Sequence, residues 1–356
     1  MPLGFCPAIL LGLEQAAKDN DPQFKQTATG TLTMLQQPEN ASIEIKGYDA
    51  GDGHHVDVRY KYIPRSTQSE VLTSRTCDTE PEKPYKEGLL QISEYRGVKV
   101  GLSMDTIAKY CSDASDLQQG KIKGVSPIMA EVNKRIMLKM NALRTSINGA
   151  VLVDIKNNYG SIGGFGSGTK SVKLIHNGSS GIVAGAPVYQ GFQEMMYDYM
   201  NSEMINTPLI AGFGNFAKFD ASTRMAGGLQ NSGLDFSGIQ QNYKFFPDLQ
   251  ADSILGANNI TVLAPGSAQL VTYNKYRGNF SGKFGATELG ILPDPLIPNL
   301  FYDVQLDFDS CNTQWNLIIG VTFGVWTVPA DAYSYPDRML GVNGLFSYKA
   351  DTIAAS

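Results

Sequence analysis

The longest run of helical hydrophobic spacing in the chain covers residues 126–157. Ser126 can cap the first turn, and Pro127 suits the first helical position, where its missing N–H costs nothing. The apolar residues that recur at steps of three or four are Ile128, Val132, Ile136, Met140, Leu143, Ile147 and Val151. The pattern predicts one amphipathic helix that ends near Asn157 and is about 46 Å long at the usual rise per residue.

An alternation of apolar and polar residues precedes this helix. It predicts strand pieces at residues 29–35, 42–46, 55–63 and 88–100. The third piece places Val56, Val58, Tyr60 and Tyr62 on one face and Asp57, Arg59 and Lys61 on the other. Because the polar residues 66–86 read as a loop, the region is predicted to be a long hairpin with little core of its own. A two-stranded ribbon of this kind is marginal in water unless something covers its apolar face.

The last third of the chain also alternates. Residues 301–309 set Val304, Leu306 and Phe308 against Asp303, Gln305, Asp307 and Asp309. Residues 315–328 form a longer predicted strand, whose apolar face carries Trp315, Leu317, Ile319, Val321, Phe323 and Val325. Gly320 and Gly324 on its other face would allow close packing or a bend. This strand would span about 46 Å, so a helix and a strand of equal, unusual length predict a flat, elongated layer.

The middle third of the chain alternates between predicted strands and helices, as in a compact α/β domain. Strands are predicted at residues 172–175, 208–211 and 259–263. Helices are predicted at residues 187–204, 215–225 and 268–276, the last with Ser267 as its cap. Two shorter helices are predicted earlier in the chain, at residues 9–18 and 103–110.

Composition restricts the function classes. The 356 residues are 42% hydrophobic and include 37 glycines, which fits a folded, β-rich protein. A net charge of −5 does not indicate nucleic acid as a direct ligand. The four cysteines are widely scattered, so neither disulfides nor a zinc site is expected, and a reducing cytoplasm fits. No stretch approaches the roughly 20 apolar residues of a membrane helix, and no membrane association is expected.

The strongest candidates for chemistry are three carboxylates on one predicted strand, Asp303, Asp307 and Asp309. They could act as general acid and base or hold a divalent ion. Their strict alternation with apolar residues favours a solvated or interface face of a strand instead. We therefore assign no catalytic residue.

Other motifs also favour the simpler interpretation. The glycine-rich residues 163–171 fail the phosphate-loop pattern, because Thr169 intrudes and the loop leads out of a helix into a strand. Residues 212–217 follow a strand and precede a helix, yet a tight turn is favoured over a dinucleotide site because no repeating βαβ units surround them. His54 and His55 make a poor metal site. No cofactor or metal is expected.

The order of the parts resembles that of the major capsid protein of tailed double-stranded DNA bacteriophages, the Hong Kong 97-like fold. Three phrases resemble the closing region of that family: Val262-Leu-Ala-Pro-Gly-Ser-Ala-Gln-Leu-Val, Tyr302-Asp-Val-Gln-Leu-Asp and Val328-Pro-Ala-Asp-Ala-Tyr. The resemblance implies an α+β fold with an N-terminal arm, an extended β-hairpin loop, a long spine helix, a peripheral β-sheet domain and an axial α/β domain. The matching ranges are the arm at 1–25, the hairpin loop at 26–101, the peripheral domain at 102–185 and 300–356 with its spine helix at 126–157, and the axial domain at 186–299.

The resemblance also implies a function. The chain would be a non-enzymatic structural subunit that self-assembles as pentamers and hexamers into an icosahedral shell around double-stranded DNA, which it would hold without specific binding. It would be made in the host bacterial cytoplasm and end in the virion. Its partners would be further copies of itself, a separate scaffolding protein and a portal, with decoration proteins also to be considered.

The candidate contacts between subunits are charged residues on predicted strands: Arg59, Lys61, Arg65, Asp303 and Asp307. We expect the hairpin to lie over a neighbouring subunit, which would cover its apolar face, and its basic residues to meet carboxylates there. Two alternatives stay open at this point. One is a carbohydrate hydrolase that uses Asp303, Asp307 and Asp309, and the other is a tail or decoration protein of a virion.

Overall fold

The chain forms two compact units in a computed structural model. The structure describes residues 5–18, 29–37, 44–50, 56–62, 86–162, 168–176, 188–202, 204, 206–226, 242–275, 282–284, 287–310, 312, 314–329 and 342–353. The first unit comprises Met1–Thr27, Ile92–Ile147 and Val271–Gly324, and the second comprises Ala28–Gln91, Asn148–Leu270 and Val325–Ser356. The division into arm, hairpin, peripheral and axial domains stays a prediction.

The described residues contain both helices and strands. The helices are α1 (Phe5–Lys18), α2 (Gly30–Leu35), α3 (Met104–Gln118), α4 (Pro127–Asn157), α5 (Val188–Asn201), α6 (Gly214–Ala226) and α7 (Ala251–Ile254). The strands are β1 (Glu44–Ala50), β2 (Val56–Tyr62), β3 (Lys86–Ile92), β4 (Glu94–Leu102), β5 (Thr169–His176), β6 (Leu209–Gly212), β7 (Lys244–Pro247), β8 (Asn259–Leu263), β9 (Ala268–Tyr273), β10 (Gly282–Phe284), β11 (Thr287–Pro293), β12 (Phe301–Asp309), β13 (Gln314–Thr327) and β14 (Leu345–Ile353).

The long helix predicted from the sequence is confirmed as α4, a single helix of 31 residues. Ser126 caps it, since its hydroxyl accepts a hydrogen bond from the Met129 N–H at 3.2 Å. Six of the seven predicted apolar positions are buried. Asn133 and Arg144, which the pattern placed between the apolar positions, are nevertheless buried as well, because both have polar partners inside the first unit.

The first unit contains most of an antiparallel sheet in the order β10-β11-β12-β13-β4, with β9 also paired to β13. Leu306 lies opposite Leu317 and Val304 opposite Ile319, so the predicted apolar faces of the two strands coincide. The prediction that Val325 lies on the buried apolar face is wrong. Trp326 is buried while Val325 is only half-buried, so the alternation changes phase near the end of β13.

Helix α1 packs inside the first unit through small and aliphatic residues. Its buried side chains are Ala8, Ile9, Leu13 and Ala16. A short polar chain holds it: the Tyr110 hydroxyl donates to the Asn133 side-chain oxygen at 2.6 Å, and the Asn133 amide donates to the Gly12 carbonyl at 3.0 Å. Gly12 cannot be replaced without movement, because an added Cβ would lie 2.1 Å from the Tyr110 hydroxyl oxygen.

The second unit contains a mixed sheet in the order β5-β14-β8-β6-β7. Helices α5 and α6 supply aromatic residues to its apolar core, where Phe192 stacks on Phe219 with ring centroids 5.6 Å apart. The three strands β1, β2 and β3 form a separate small sheet in the order of the chain. The middle third is thus an α/β arrangement, as the alternation predicted.

Two predicted elements are wrong. Residues 29–35 were predicted as a strand but contain helix α2, whose first N–H groups are bound by distant side chains: Thr31 N–H donates to Asp248 at 2.9 Å and Leu32 N–H to Asn148 at 3.0 Å. Residues 268–276 were predicted as a helix but contain strand β9, which pairs with β13. In both cases partners far along the chain override the local pattern.

Candidate assembly surfaces

The basic residues of the hairpin lie on strand β2. Arg59 is exposed and Lys61 is half-buried, and the register places them opposite Gly47 and Glu44 of β1. Arg65 lies outside the described residues. Polar and apolar residues alternate along β2. Arg59 and Lys61 therefore lie on the same side of the strand as Asp57, as the sequence predicted.

The apolar face of β2 is covered within its own chain, which corrects one expectation. Val56 is 7% exposed and Val58 is 1% exposed in the single chain. Tyr60 packs against Trp326 of the same unit, with ring centroids 5.7 Å apart and the ring planes at 82°. The prediction that a neighbouring subunit must cover this face is therefore wrong for Val56 and Val58, which are buried within their own chain, and Tyr60 has a partner ring in Trp326.

The three aspartates of β12 are half-buried on the face opposite to Val304 and Leu306. Asp303 accepts a hydrogen bond from the Lys275 N–H at 2.8 Å, Asp307 accepts one from the Gln305 amide, and Asp309 accepts one from the Asn312 amide at 2.9 Å. These neighbouring donors engage the carboxylates locally. Among the described residues, no group of three or more His, Cys, Asp or Glu side chains could hold a metal ion.

Tyr95 of β4 lies on the same sheet face as Asp303. Its ring covers Gly97 and Gly320, where an added Cβ would come within 2.6 and 2.2 Å of its hydroxyl oxygen. Burial and, to a smaller extent, the negative charge of Asp303 raise the pKa of the Tyr95 hydroxyl. The predicted close packing at Gly320 is thus confirmed, and this face combines an exposed aromatic ring with two of the candidate carboxylates.

At the turn between β6 and α6, a protein side chain already binds the start of the helix. Gly214 adopts a φ of 56°, and an added Cβ there would lie 2.3 Å from the Asn258 side-chain oxygen. That oxygen accepts a hydrogen bond from the Asn215 N–H at 2.9 Å. A protein side chain therefore already takes the N–H group that a dinucleotide would use. The glycine-rich residues 163–167 and the pair His54 and His55 lie outside the described residues.

The sequence pattern missed the buried ionic groups. Arg144 and Asp294 form an ion pair at 2.7 Å with side chains 1% and 0% exposed. Lys170 bridges Asp198 at 2.7 Å and Glu194 at 2.9 Å in the second unit. No sequence signal could have found them, because each charged residue stands at an ordinary polar position and its partner lies far along the chain or on another element.

Comparisons with known proteins identify solved structures with a similar fold. No family model matches the chain, and no curated protein matches it. Among solved structures, the capsid asymmetric unit of cyanophage A-1(L) matches with 12% identity, 91% of this chain and 93% of that chain covered, and a TM-score of 0.50. A chain from Mycobacterium phage Adephagia matches with 9% identity, 92% of both chains covered and a TM-score of 0.43. The virus-like particle from Pyrococcus furiosus matches with 11% identity, 96% of both chains covered and a TM-score of 0.40.

The chain has the Hong Kong 97-like capsid fold. This confirms the α+β architecture that the resemblance implied. Helix α4 lies in the range predicted for the spine helix, and strands β1 to β3 lie in the range predicted for the hairpin loop; both assignments stay predictions. None of the described helices is both long and apolar enough to span a membrane.

Proposed function

We propose that this chain is a structural subunit of an icosahedral phage capsid. The observation that carries the proposal is the fold shared over 91% of the chain with the capsid asymmetric unit of cyanophage A-1(L). The subunits would assemble as pentamers and hexamers into a closed shell, and the chain would reside in the virion after assembly in the bacterial cytoplasm. A separate scaffolding protein and a portal would take part in that assembly.

The surface chemistry fits a shell around double-stranded DNA. The chain is mildly acidic, with a formal net charge of −5, whereas a strongly basic lining would hold the genome tightly. The inner surface would therefore enclose the DNA without specific binding. The proposed role is structural and not enzymatic, in keeping with the capsid fold that the chain shares.

We further propose that Arg59, Lys61 and Arg65 of one subunit, and Asp303 and Asp307 of another, contribute to the contacts between copies. Charges at the rim of an interface set register and association rate more than affinity. The hairpin would make these contacts with its polar side, since its apolar residues Val56 and Val58 are buried within their own chain.

Particle size tests the proposal directly. Purified protein, alone and with its scaffolding protein, is examined by negative-stain electron microscopy and sedimentation velocity. We expect shells or curved sheets that contain very many copies. Tubes or rings would indicate a tail protein, and a chain that remains monomeric under every assembly condition while it cleaves a polysaccharide would favour the hydrolase.

A further inference from the structure

Tyr60 of the hairpin contacts Trp326 of its own chain, and the indole N–H of Trp326 is a buried donor without an ordinary acceptor among the described residues. Trp326 is 5% exposed, and its indole nitrogen is buried without an oxygen or nitrogen partner in the described part of the chain. A buried N–H that gives up water without a new acceptor costs free energy. An acceptor of another kind should therefore lie beside it.

The ring of Tyr60 has the geometry of such an acceptor. The two ring centroids are 5.7 Å apart and the ring planes are at 82°, so one ring presents its edge to the other. An aromatic face carries negative charge and an N–H edge carries positive charge, which makes an N–H···π contact favourable. If the Trp326 N–H edge faces the Tyr60 ring, the otherwise unpartnered donor is satisfied.

Gly88 of β3 lies against the hydroxyl-bearing end of the Tyr60 ring. A Cβ added at Gly88 would lie 2.2 Å from the carbon that bears the Tyr60 hydroxyl group, a distance that real Cβ atoms do not show. Any larger residue at position 88 would therefore displace the Tyr60 ring. Strands β2 and β3 and the end of β13 thus meet at three residues of the second unit.

We propose that Tyr60, Trp326 and Gly88 form an aromatic joint that fixes the direction of the hairpin, with the Trp326 indole N–H donating to the ring face of Tyr60. The three are positioning residues. They orient β2, and with it Arg59 and Lys61, before the chain meets another copy. The role of the joint in assembly rests on the proposed capsid function, whereas the joint itself does not.

The first experiment reads the joint in the unassembled chain. The sequence has two tryptophans, Trp315 and Trp326, so Trp315→Phe leaves Trp326 as the single indole reporter. We expect its indole proton to resonate upfield of the ordinary position in a 15N–1H NMR spectrum, because a proton over a ring face is shielded. Tyr60→Leu should move this resonance back downfield.

Matched variants control for general damage. Tyr62→Leu removes a ring whose centroid lies 6.1 Å from that of Tyr60 but leaves the Tyr60 ring in place, so the shift should stay. Gly88→Ala should reduce the shift by displacing Tyr60, and Tyr60→Phe should keep it. If Trp315→Phe fails to fold, the two indole signals of the parent chain are followed in the Tyr60 variants instead. An ordinary indole shift that no Tyr60 variant alters would overturn the joint.

The second experiment reads assembly. Tyr60→Leu and Gly88→Ala should give folded chains whose yield of regular shells falls strongly, while Tyr60→Phe restores the yield. Regular shells at the parent yield from folded Tyr60→Leu would overturn the positioning role. If the parent chain itself builds no particle, the proposed function fails, and the NMR result still decides whether the joint exists.

Discussion

At the scale of single residues, the carboxylate of Asp294 links several elements of the first unit. It accepts hydrogen bonds from the Arg144 Nε and Nη2 groups at 2.7 and 2.9 Å and from the Tyr302 hydroxyl at 2.7 Å. It also accepts from the N–H groups of Leu296 and Ile297 at 2.8 and 2.9 Å. The helix residue Arg144 and the β12 residue Tyr302 are thus joined through one buried anion.

Replacement of Asp294 should therefore be severe. Asp294→Ala leaves the Arg144 guanidinium buried without its counter-charge, and we expect the free energy of unfolding to fall by about 3–5 kcal/mol. Chemical denaturation of the unassembled chain measures this. The matched control is Glu131→Ala, which removes the partner of Arg135 in a pair whose side chains are 63% and 55% exposed, and which should cost at most about 0.5 kcal/mol. Equal effects of the two changes would contradict the argument.

Asp307 should behave in the opposite way. It is half-buried on a strand face and its carboxylate accepts from the Gln305 amide of the same strand. We expect Asp307→Asn to change the free energy of unfolding by less than about 0.5 kcal/mol. Unfolding curves and shell yield are measured together. Loss of assembly in a stable variant would place Asp307 at a contact between subunits.

The buried tyrosines predict an alkaline limit to stability. Burial raises the pKa of Tyr159 to about 12, although its hydrogen bonds to Thr261 and Ser347 lower it in part. Because the unfolded chain loses this proton near the ordinary value of 10.0, the contribution of Tyr159 is complete below pH 10 and is lost as the pH rises towards 12. The unfolding free energy of the parent chain should fall more steeply over this range than that of Tyr159→Phe. Equal slopes would show that Tyr159 titrates normally.

At the scale of elements, the long helix carries a glycine that its packing does not require. A Cβ added at Gly149 would lie 3.7 Å from the Ile254 side chain and 3.9 Å from the Gln250 amide, which are ordinary contacts. We expect Gly149→Ala to raise the free energy of unfolding by about 0.5–1 kcal/mol, because alanine is the better helix former. Thermal and chemical unfolding measure the change.

Gly191 near the start of α5 is the contrasting case. A Cβ there would lie 2.1 Å from the Lys173 carbonyl oxygen, which is backbone and cannot move cheaply. Gly191→Ala should therefore destabilise the chain although it makes the same chemical change inside a helix. A stabilising result at position 191 would show that α5 can shift away from β5.

At the scale of the whole molecule, charge reversal tests the proposed role of the hairpin charges in recognition between copies. We expect the double variant Arg59→Glu and Lys61→Glu to remain folded and soluble but to build no shells, since reversed charges would face like charges on the neighbouring copy. Circular dichroism checks the fold and electron microscopy checks assembly. The control reverses Lys123 and Lys134, which are exposed and give the same change in net charge. Normal shells from the folded hairpin variant would contradict this role.

The sequence by itself determined the elements whose patterns are long and one-sided. The long helix α4, the strand β12 and the two faces of β2 follow from local periodicity, because one side of each element must avoid water over many consecutive residues. The order of these elements was sufficient to indicate the fold. The charged strand positions also follow from alternation, although not their partners.

The tertiary structure alone decided the features that depend on distant partners. The side chains of Asp248 and Asn148 bind the first N–H groups of α2. They stabilise a helix in residues 29–35, for which the local pattern predicts a strand. Pairing with β13 makes a strand of β9. Arg144 stands at a polar position of the helical pattern and is buried because Asp294 lies beside it. Periodicity indicates whether a residue faces water or the core on average. It contains no information about which residue, distant in the sequence, that side chain will contact.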